Sequence, residues 1–302
     1  MEQLPAILRH ILNQPGLLTI KHSLRSLQTM LDYGGFQRIK QLAATLHLEQ
    51  LLERQPRFTH KYLSRYTAAS FSRRERLAAI LNHYDFLMAT VGTDFFGLVA
   101  SKPILWQEQR GADTFTIVLS YPALVGFEGE LSLSLRVNEV YTQVVSFVIV
   151  PGQLVGAGGG QALLFSQVQG THLPILYKHA TKTLLDITPA ALLVHAAYGL
   201  AAALGVQYAV GVSTAEQLSQ GAGNCFDYDA FWAQLGGERM ANQLFLLSIP
   251  PPEKPLGSLK PNHRARTLRK RQYKLALRRA VELACQVSFC LPAMNACLEI
   301  VH

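Results

Sequence analysis

Two glutamates flank a glycine in the run Phe127-Glu128-Gly129-Glu130, just ahead of a stretch that alternates apolar and polar residues. Side chains two positions apart on a strand share a face. Paired carboxylates raise each other's pKa, which suits one of them to act as a general base. The competing reading is an acidic turn in water. A second cluster, Tyr228-Asp229-Ala230-Phe231-Trp232, gathers aromatics around an acid. Phe231 and Trp232 read as core or groove-lining residues, and Asp229 as a group that caps a helix or orients a base. His83, beside Tyr84, joins Glu128, Glu130 and Asp229 in the candidate catalytic set. Gln167-Val168-Gln169-Gly170 closes an apolar run and leads towards a helix, where backbone amides can hold an anion.

Other motifs carry less. The run Gly156-Ala157-Gly158-Gly159-Gly160 lies between two expected strands and lacks the Lys-Ser/Thr of a phosphate loop, so it reads as a hairpin loop. Gly211-Val212-Ser213-Thr214-Ala215 approaches a nucleophile elbow, with Asp229 and His263 following in hydrolase order, but its second glycine is missing. Cys285, Cys290 and Cys297 do not have zinc spacing and read as buried free thiols. His172 and His179 could share a helix face without a third ligand. No metal site is expected.

Charge is concentrated. Nine Lys/Arg and no acid lie between Lys260 and Arg279, and the remaining chain balances 19 basic against 20 acidic groups. A second stretch, Arg54 to Arg76, holds seven Lys/Arg and one acid. Such faces suit an anionic partner, whether nucleic acid, phospholipid, phosphorylated cofactor or acidic carrier protein; the bland alternative is a solvated helix face.

The elements that must position these groups fall into three parts. Residues 1 to about 100 read as helical. Ser72 and Glu75 form a capping box for a helix from about 73 to 90, and shorter amphipathic helices are expected at 4–13, 21–31 and 36–54. Residues 104–170 read as an antiparallel meander, with Leu131–Val137 alternating as a half-buried strand and further strands at 115–121, 141–150 and 162–168. Beyond lie a helix at about 174–185, a buried apolar helix capped by Thr188 and Pro189, a strand at 206–212, a helix at 228–235, a strand at 243–249, and a basic helix after Pro261. The fold class is therefore α+β, a mostly antiparallel sheet with flanking helices and a helical N-terminal extension, divided as 1–100 and 101–302. It is compatible with the central sheet of GNAT-type acyltransferases.

The 302 residues are 49% apolar and 16% charged, which excludes a mainly disordered chain, and four cysteines make no disulfide scaffold. The opening MEQLPAILRHILNQPGLL lacks a basic region followed by an unbroken apolar one, and 187–212 is cut by proline, histidine and glycine. A cytoplasmic protein is expected.

In order and spacing, HY at 83–84, EGE at 128–130, QG at 169–170, TK at 181–182, VGVS at 210–213, YDAFW at 228–232 and RKRQY at 269–273 resemble the VirK/YbjX family of proteobacterial proteins. Where that family continues TK with a Gly-Leu-Arg-Pro-Lys-like stretch, this chain has Leu185-Asp186-Ile187-Thr188-Pro189 and keeps only the proline. The resemblance implies links to bacterial envelope properties, antimicrobial-peptide resistance and virulence. It also implies kinship with accessory proteins of microcin gene clusters, where a siderophore is attached to a peptide beside a GNAT-like acyltransferase subunit.

The combined expectation is an acyltransferase-like protein acting on a peptide or an envelope component, alone or with a partner subunit. Glu128 or Glu130 serves as base. Gln169, Gly170, Lys182, Arg271 and Lys274 hold the phosphates of an acyl-CoA or acyl carrier protein donor; no other cofactor is required. Arg271, Lys274 and Arg278 share one helix face. Peripheral contact with an anionic membrane is expected and nucleic acid is not. The alternatives are a non-catalytic binding protein that uses its basic surface, and a serine hydrolase built on Ser213.

Overall fold

The computed structural model describes residues 32–45, 52, 58–122, 126–170, 173–219, 226–253, 255–258 and 260–291. The helices expected at 4–13 and 21–31 lie outside them. Of the segment expected at 36–54, helix α1 (Tyr33–Thr45) is described. Helix α2 (Arg73–Val91) starts where the sequence places it: the Ser72 hydroxyl accepts from the Glu75 amide at 3.3 Å, and the Glu75 carboxylate accepts from the Ser72 amide at 2.7 Å. Helix α3 (Asp94–Ala100) follows.

The meander expected between 104 and 170 is built from β1 (Ile104–Arg110), β2 (Asp113–Ser120), β3 (Leu131–Val137), β4 (Val140–Pro151) and β5 (Gln161–Gly170). A helical turn, α4 (Gly152–Val155), and the glycine run make the hairpin between β4 and β5. The chain then crosses through α5 (Pro174–Thr183) and α6 (Pro189–Ala203) to β6 (Tyr208–Val212). Helix α7 (Tyr228–Gln234), the short β7 (Glu238–Arg239), β8 (Leu244–Ser248) and α8 (Pro261–Ser288) complete the described chain. The strands form one sheet in the order β1-β2-β3-β4-β5-β6-β8-β7, and every neighbouring pair is antiparallel except β5 and β6. A parallel pair needs a long crossover; α6 supplies it. Its Thr188 hydroxyl accepts from the Ala191 amide, and its nearly all-apolar body is buried against β3, β4, β5 and α8.

The alternation in β3 corrects one expectation. Ser132 and Ser134, read as solvent-facing, are buried along with the leucines between them. Ser120, Ser132, Ser146 and Gln167 stand directly opposite one another on four successive strands, a polar row inside the protein. The row bonds to itself: Ser132 and Ser146 hydroxyls meet at 2.8 Å, Ser146 donates to Gln167 Oε1 at 2.8 Å, and Gln167 Nε2 donates to Gln169 Oε1 at 2.7 Å. Buried polar groups need such partners.

One apolar core runs through the helical segments before residue 100 and the sheet alike, from Ile39, Tyr62 and Leu87 to Leu133, Ile149 and Leu193. Among the described residues no helix is long and apolar enough to cross a membrane.

Candidate functional site

The parallel pair does not stay together. Pairing of β5 with β6 runs from Ala162 opposite Tyr208 to Phe165 opposite Gly211, whereas β5 continues on β4 to Gly170. A bulge marks the point of departure: Phe147 faces Phe165 and Ser146 faces Gln167, so Ser166 has no partner across the strand. The Ser166 hydroxyl instead donates to the Glu128 carbonyl. Beyond the bulge the Val168 amide donates to the Tyr228 hydroxyl at 3.0 Å, a side chain standing in for the missing strand. Burial raises the Tyr228 phenol to about 12, so it keeps its proton. Trp232, one turn along α7, donates to the Val212 carbonyl at 2.7 Å and stacks on Phe165 with centroids 5.5 Å apart.

Glu128 lies in this wedge, fully buried. Its Oε1 accepts from Gln217 Nε2 and from the Ser219 hydroxyl, both at 2.9 Å. Its Oε2 is buried and has no partner among the described residues. Burial pushes the carboxyl above its ordinary pKa, and the Ser219 hydrogen bond offsets only part of that.

Glu130 goes elsewhere. The two glutamates precede β3 rather than lying on it, and Gly129 between them has φ +149°, so the shared face expected from strand geometry does not form. A Cβ on Gly129 would also sit 2.8 Å from the Phe147 amide nitrogen. Glu130 Oε1 accepts from Lys61 Nζ at 2.7 Å and from the Tyr66 hydroxyl at 2.5 Å, and Oε2 accepts from the Tyr84 hydroxyl at 2.8 Å. Burial lowers the Lys61 ammonium while the Glu130 carboxylate opposes it. Burial, reinforced by the Glu130 charge, holds both phenols well above their ordinary range, so both remain donors. Lys61 belongs to the stretch 54–76 that reads as a basic face, yet it is 2% exposed. The acidic-turn alternative is also set aside, since both carboxylates are inside.

Three loops fasten this region. The Thr67 amide donates to the Phe127 carbonyl at 2.9 Å, Ala69 to the Glu216 carbonyl at 2.9 Å, and Ser70 to the Glu216 carboxylate at 2.8 Å. His83 sits apart from both glutamates' partner sets. Its Nδ1 accepts from the Ile149 amide at 3.1 Å, and burial, then the Lys61 charge, holds it to about 3, so it is a neutral tie between α2 and β4. Asp229 accepts from the Thr214 amide at 2.8 Å and pairs with Arg239 at 3.1 Å; the cap of α7 is Asp227. The Ser213 hydroxyl accepts from the Glu216 amide at 3.3 Å. Among the described residues neither Ser213 nor Asp229 has a histidine for a hydrogen-bond partner, and His263 is exposed in the first turn of α8.

The expected phosphate contacts are dispersed. Gln169 and Gly170 are exposed at the end of β5, and Lys182 is exposed in the last turn of α5. On α8, Arg271 pairs with Glu253 at 3.3 Å, while Lys274 and Arg278 are half-buried near α6. The shared face of Arg271, Lys274 and Arg278 thus turns inward. Cys285 is buried as expected, Cys290 is exposed, and Cys297 lies outside the described residues. His172 also lies outside them, and His179 pairs with Asp113 at 2.7 Å. Among the described residues no group of His, Cys, Asp and Glu could hold a metal ion.

Gln217, Ser219 and Ser166 carry no motif and were not legible as partners. The signal that could have found them is indirect: a buried acid requires nearby donors.

With this geometry in hand, residues 20–279 match the family described as "Protein of unknown function (DUF535)". The chain belongs to that family. It is 27% identical over 206 residues to the "Uncharacterized protein YbjX" of Escherichia coli (strain K12), in agreement with the VirK/YbjX resemblance. That match covers 63% of this chain and 61% of the relative's own length. No solved structure matches.

Proposed function

We propose that this member of the DUF535 family is an acyltransferase-type protein with Glu128 as its general base. It moves an acyl group from a phosphopantetheine thioester, on coenzyme A or acyl carrier protein, to a peptide or an envelope component. It acts alone or beside a partner subunit, from the cytoplasmic side of the inner membrane. The observation that carries this reading is the Glu128 carboxyl itself. It is buried and raised in pKa by burial, has one oxygen held and the other free, and sits where two parallel strands part. A raised pKa makes a carboxylate a stronger base. The order of the sheet, with one parallel pair in an otherwise antiparallel set, agrees with a GNAT-like plan.

In this scheme Glu128 Oε2 takes the proton of the acceptor's amine or hydroxyl. The freed lone pair attacks the thioester carbonyl, a C–N or C–O bond forms, the C–S bond breaks, and the leaving thiolate recovers the proton from Glu128. Gln217 and Ser219 hold Oε1 in place while Oε2 reacts. The end of β5, from Gln169 to Gly170, has no β6 partner and can pair with an amide-bearing arm in strand-like fashion. Lys182 and exposed basic residues of α8 receive the phosphates. The test is thiol release from acyl-coenzyme A or acyl carrier protein by the full chain, with and without an acyltransferase-type partner. Glu128→Gln is expected to lower the rate by about 10²–10⁴-fold with the fold intact. A rate unchanged by the substitution would remove Glu128 from the chemistry.

A second reading has its own observation. The outward face of α8 exposes Leu268, Leu275, Leu283 and Val287 together with Arg264, Arg269 and Arg279. Apolar side chains flanked by arginines suit a helix lying on an anionic lipid surface. Sedimentation with vesicles of phosphatidylcholine, with and without phosphatidylglycerol, separates the readings. Binding that needs the anionic lipid and is lost in Leu275→Glu/Leu283→Glu supports a surface role; absence of binding dismisses it.

A further inference from the structure

We propose that the seam between α6 and α8 is a binding site for an oxyanion, the phosphate or carboxylate group of a ligand, held by His195 and Tyr198 from α6 and Lys274 and Arg278 from α8. No activity at Glu128 is assumed. The starting point is unmet hydrogen bonding. Both ring nitrogens of His195, the Tyr198 hydroxyl and Arg278 Nε are buried and have no partner among the described residues. A buried polar group left unpaired is costly, and native proteins hold few of them. Four such atoms in one seam therefore mark a place built for something else.

Local geometry brings them together. His195 and Gly199 lie one turn apart on α6, with Tyr198 beside them, and the His195 and Tyr198 rings meet edge to face at 5.6 Å. On α8, Lys274, Arg278 and Val281 share the facing side. A Cβ on Gly199 would lie 2.4 Å from the Arg278 carbonyl oxygen, so the two helices touch at this point, beside His195 and Tyr198 on one helix and Arg278 on the other.

The chemistry favours an anion. His195 is pressed down to about 3 by burial and then by Lys274 and Arg278, so its imidazole is neutral, with one N–H to give and one nitrogen to accept. The Tyr198 hydroxyl is raised by burial and remains a donor. Lys270 and Arg271 add positive potential around Lys274. The acid opposing them, Glu253, is half-exposed and pairs with Arg271. The polar atoms of His195, Tyr198 and Arg278 Nε have no partner among the described residues, and the Glu253 charge acts on Arg278 as well as on Lys274. An oxyanion supplies several acceptors, and a protonated oxygen of hydrogen phosphate satisfies the accepting imidazole nitrogen.

The experiment is calorimetric titration and thermal melting of the full chain in a sulfate-free, phosphate-free buffer. Inorganic phosphate, acetate and sodium chloride are compared at matched ionic strength. Phosphate is expected to bind and to raise the melting temperature above the chloride control; a response to acetate instead assigns the site to carboxylates. Tyr198→Phe removes a hydroxyl that has no partner, so the unliganded protein should melt as before while the affinity falls about tenfold. Arg278→Gln should do the same to binding. If neither anion acts beyond chloride, or if Tyr198→Phe binds as tightly as the unmutated chain, the seam is a packing contact and the proposal fails. Should Arg278→Gln not fold, Tyr198→Phe alone decides.

Discussion

Glu130 and Glu128 stand two residues apart, equally buried, in opposite chemical situations. Glu130 has a cation and two phenols on its oxygens. Glu128 has two neutral donors on one oxygen and none among the described residues on the other. A carboxylate with donors on both oxygens, one of them a cation, is tied into the packing and serves the fold. One left half-satisfied weakens the fold and can take a proton. The difference arises from Gly129, whose backbone sends one side chain towards the residue 58–84 segment and the other into the wedge between β5 and β6.

Breaking the saturated side should have the largest effect. Lys61→Met leaves Glu130 buried without its cation, and the cost is expected to be about 3–5 kcal/mol in urea unfolding. Adding Glu130→Gln should recover a good part of it. Additive losses in the double variant would show that the two groups do not act as a pair.

Acid is the next lever. His83 and His195 are held to about 3 in the folded protein, against about 6.5 unfolded. Between these values the unfolded chain binds protons that the folded chain does not. Stability is therefore full above pH 6.5 and falls as the pH drops towards 3, by about 1.4 kcal/mol per unit for each histidine. The urea midpoint should be clearly lower at pH 5 than at pH 7; an equal midpoint would contradict the burial of both rings.

Gly129→Ala tests the divider itself. Its positive φ and the Phe147 backbone at 2.8 Å both oppose a side chain, and a loss of about 2 kcal/mol is expected, together with any activity that depends on Glu128. Wild-type stability in this variant would show that the turn tolerates an L side chain.

The smallest change in stability should come from Glu128→Gln. The amide keeps an acceptor for Gln217 and Ser219 and removes a charge that burial disfavours. Thermal melting should move by less than about 1 kcal/mol equivalent, because the lost buried charge and the amide's unpaired NH2 act in opposite directions. Strong destabilisation would place Glu128 beside Glu130 as a structural group and sharpen the contrast no further.

Much of the scaffold was legible in the chain. The Ser72 cap, the Thr188-Pro189 start, the strand at 131–137 and the basic helix after Pro261 all follow local rules of capping and periodicity. What those rules could not supply is pairing across distance. Lys61 reads as one more cation in a basic stretch until Glu130, 69 residues away, accepts a hydrogen bond from its ammonium. Ser132 and Ser134 read as a wet face because alternation reports side-chain polarity and not whether another layer lies above. The Glu128 wedge depends on where β6 stops accompanying β5, and no single segment encodes that.

The Lys61–Glu130 tie has a kinetic side. The meander from β1 to β5 can zip up hairpin by hairpin from near neighbours, but Glu130 enters the interior at the head of β3 and must then wait for a lysine and two tyrosines from much earlier in the chain. Without them the Glu130 carboxylate would lie buried without its cation, which is costly. Melting runs the same path backwards, so the segment 58–91 and the sheet should let go together. Amide protons of α2 and of β4 are then expected to exchange through the same opening, with one common opening free energy, although one element is a helix and the other a strand.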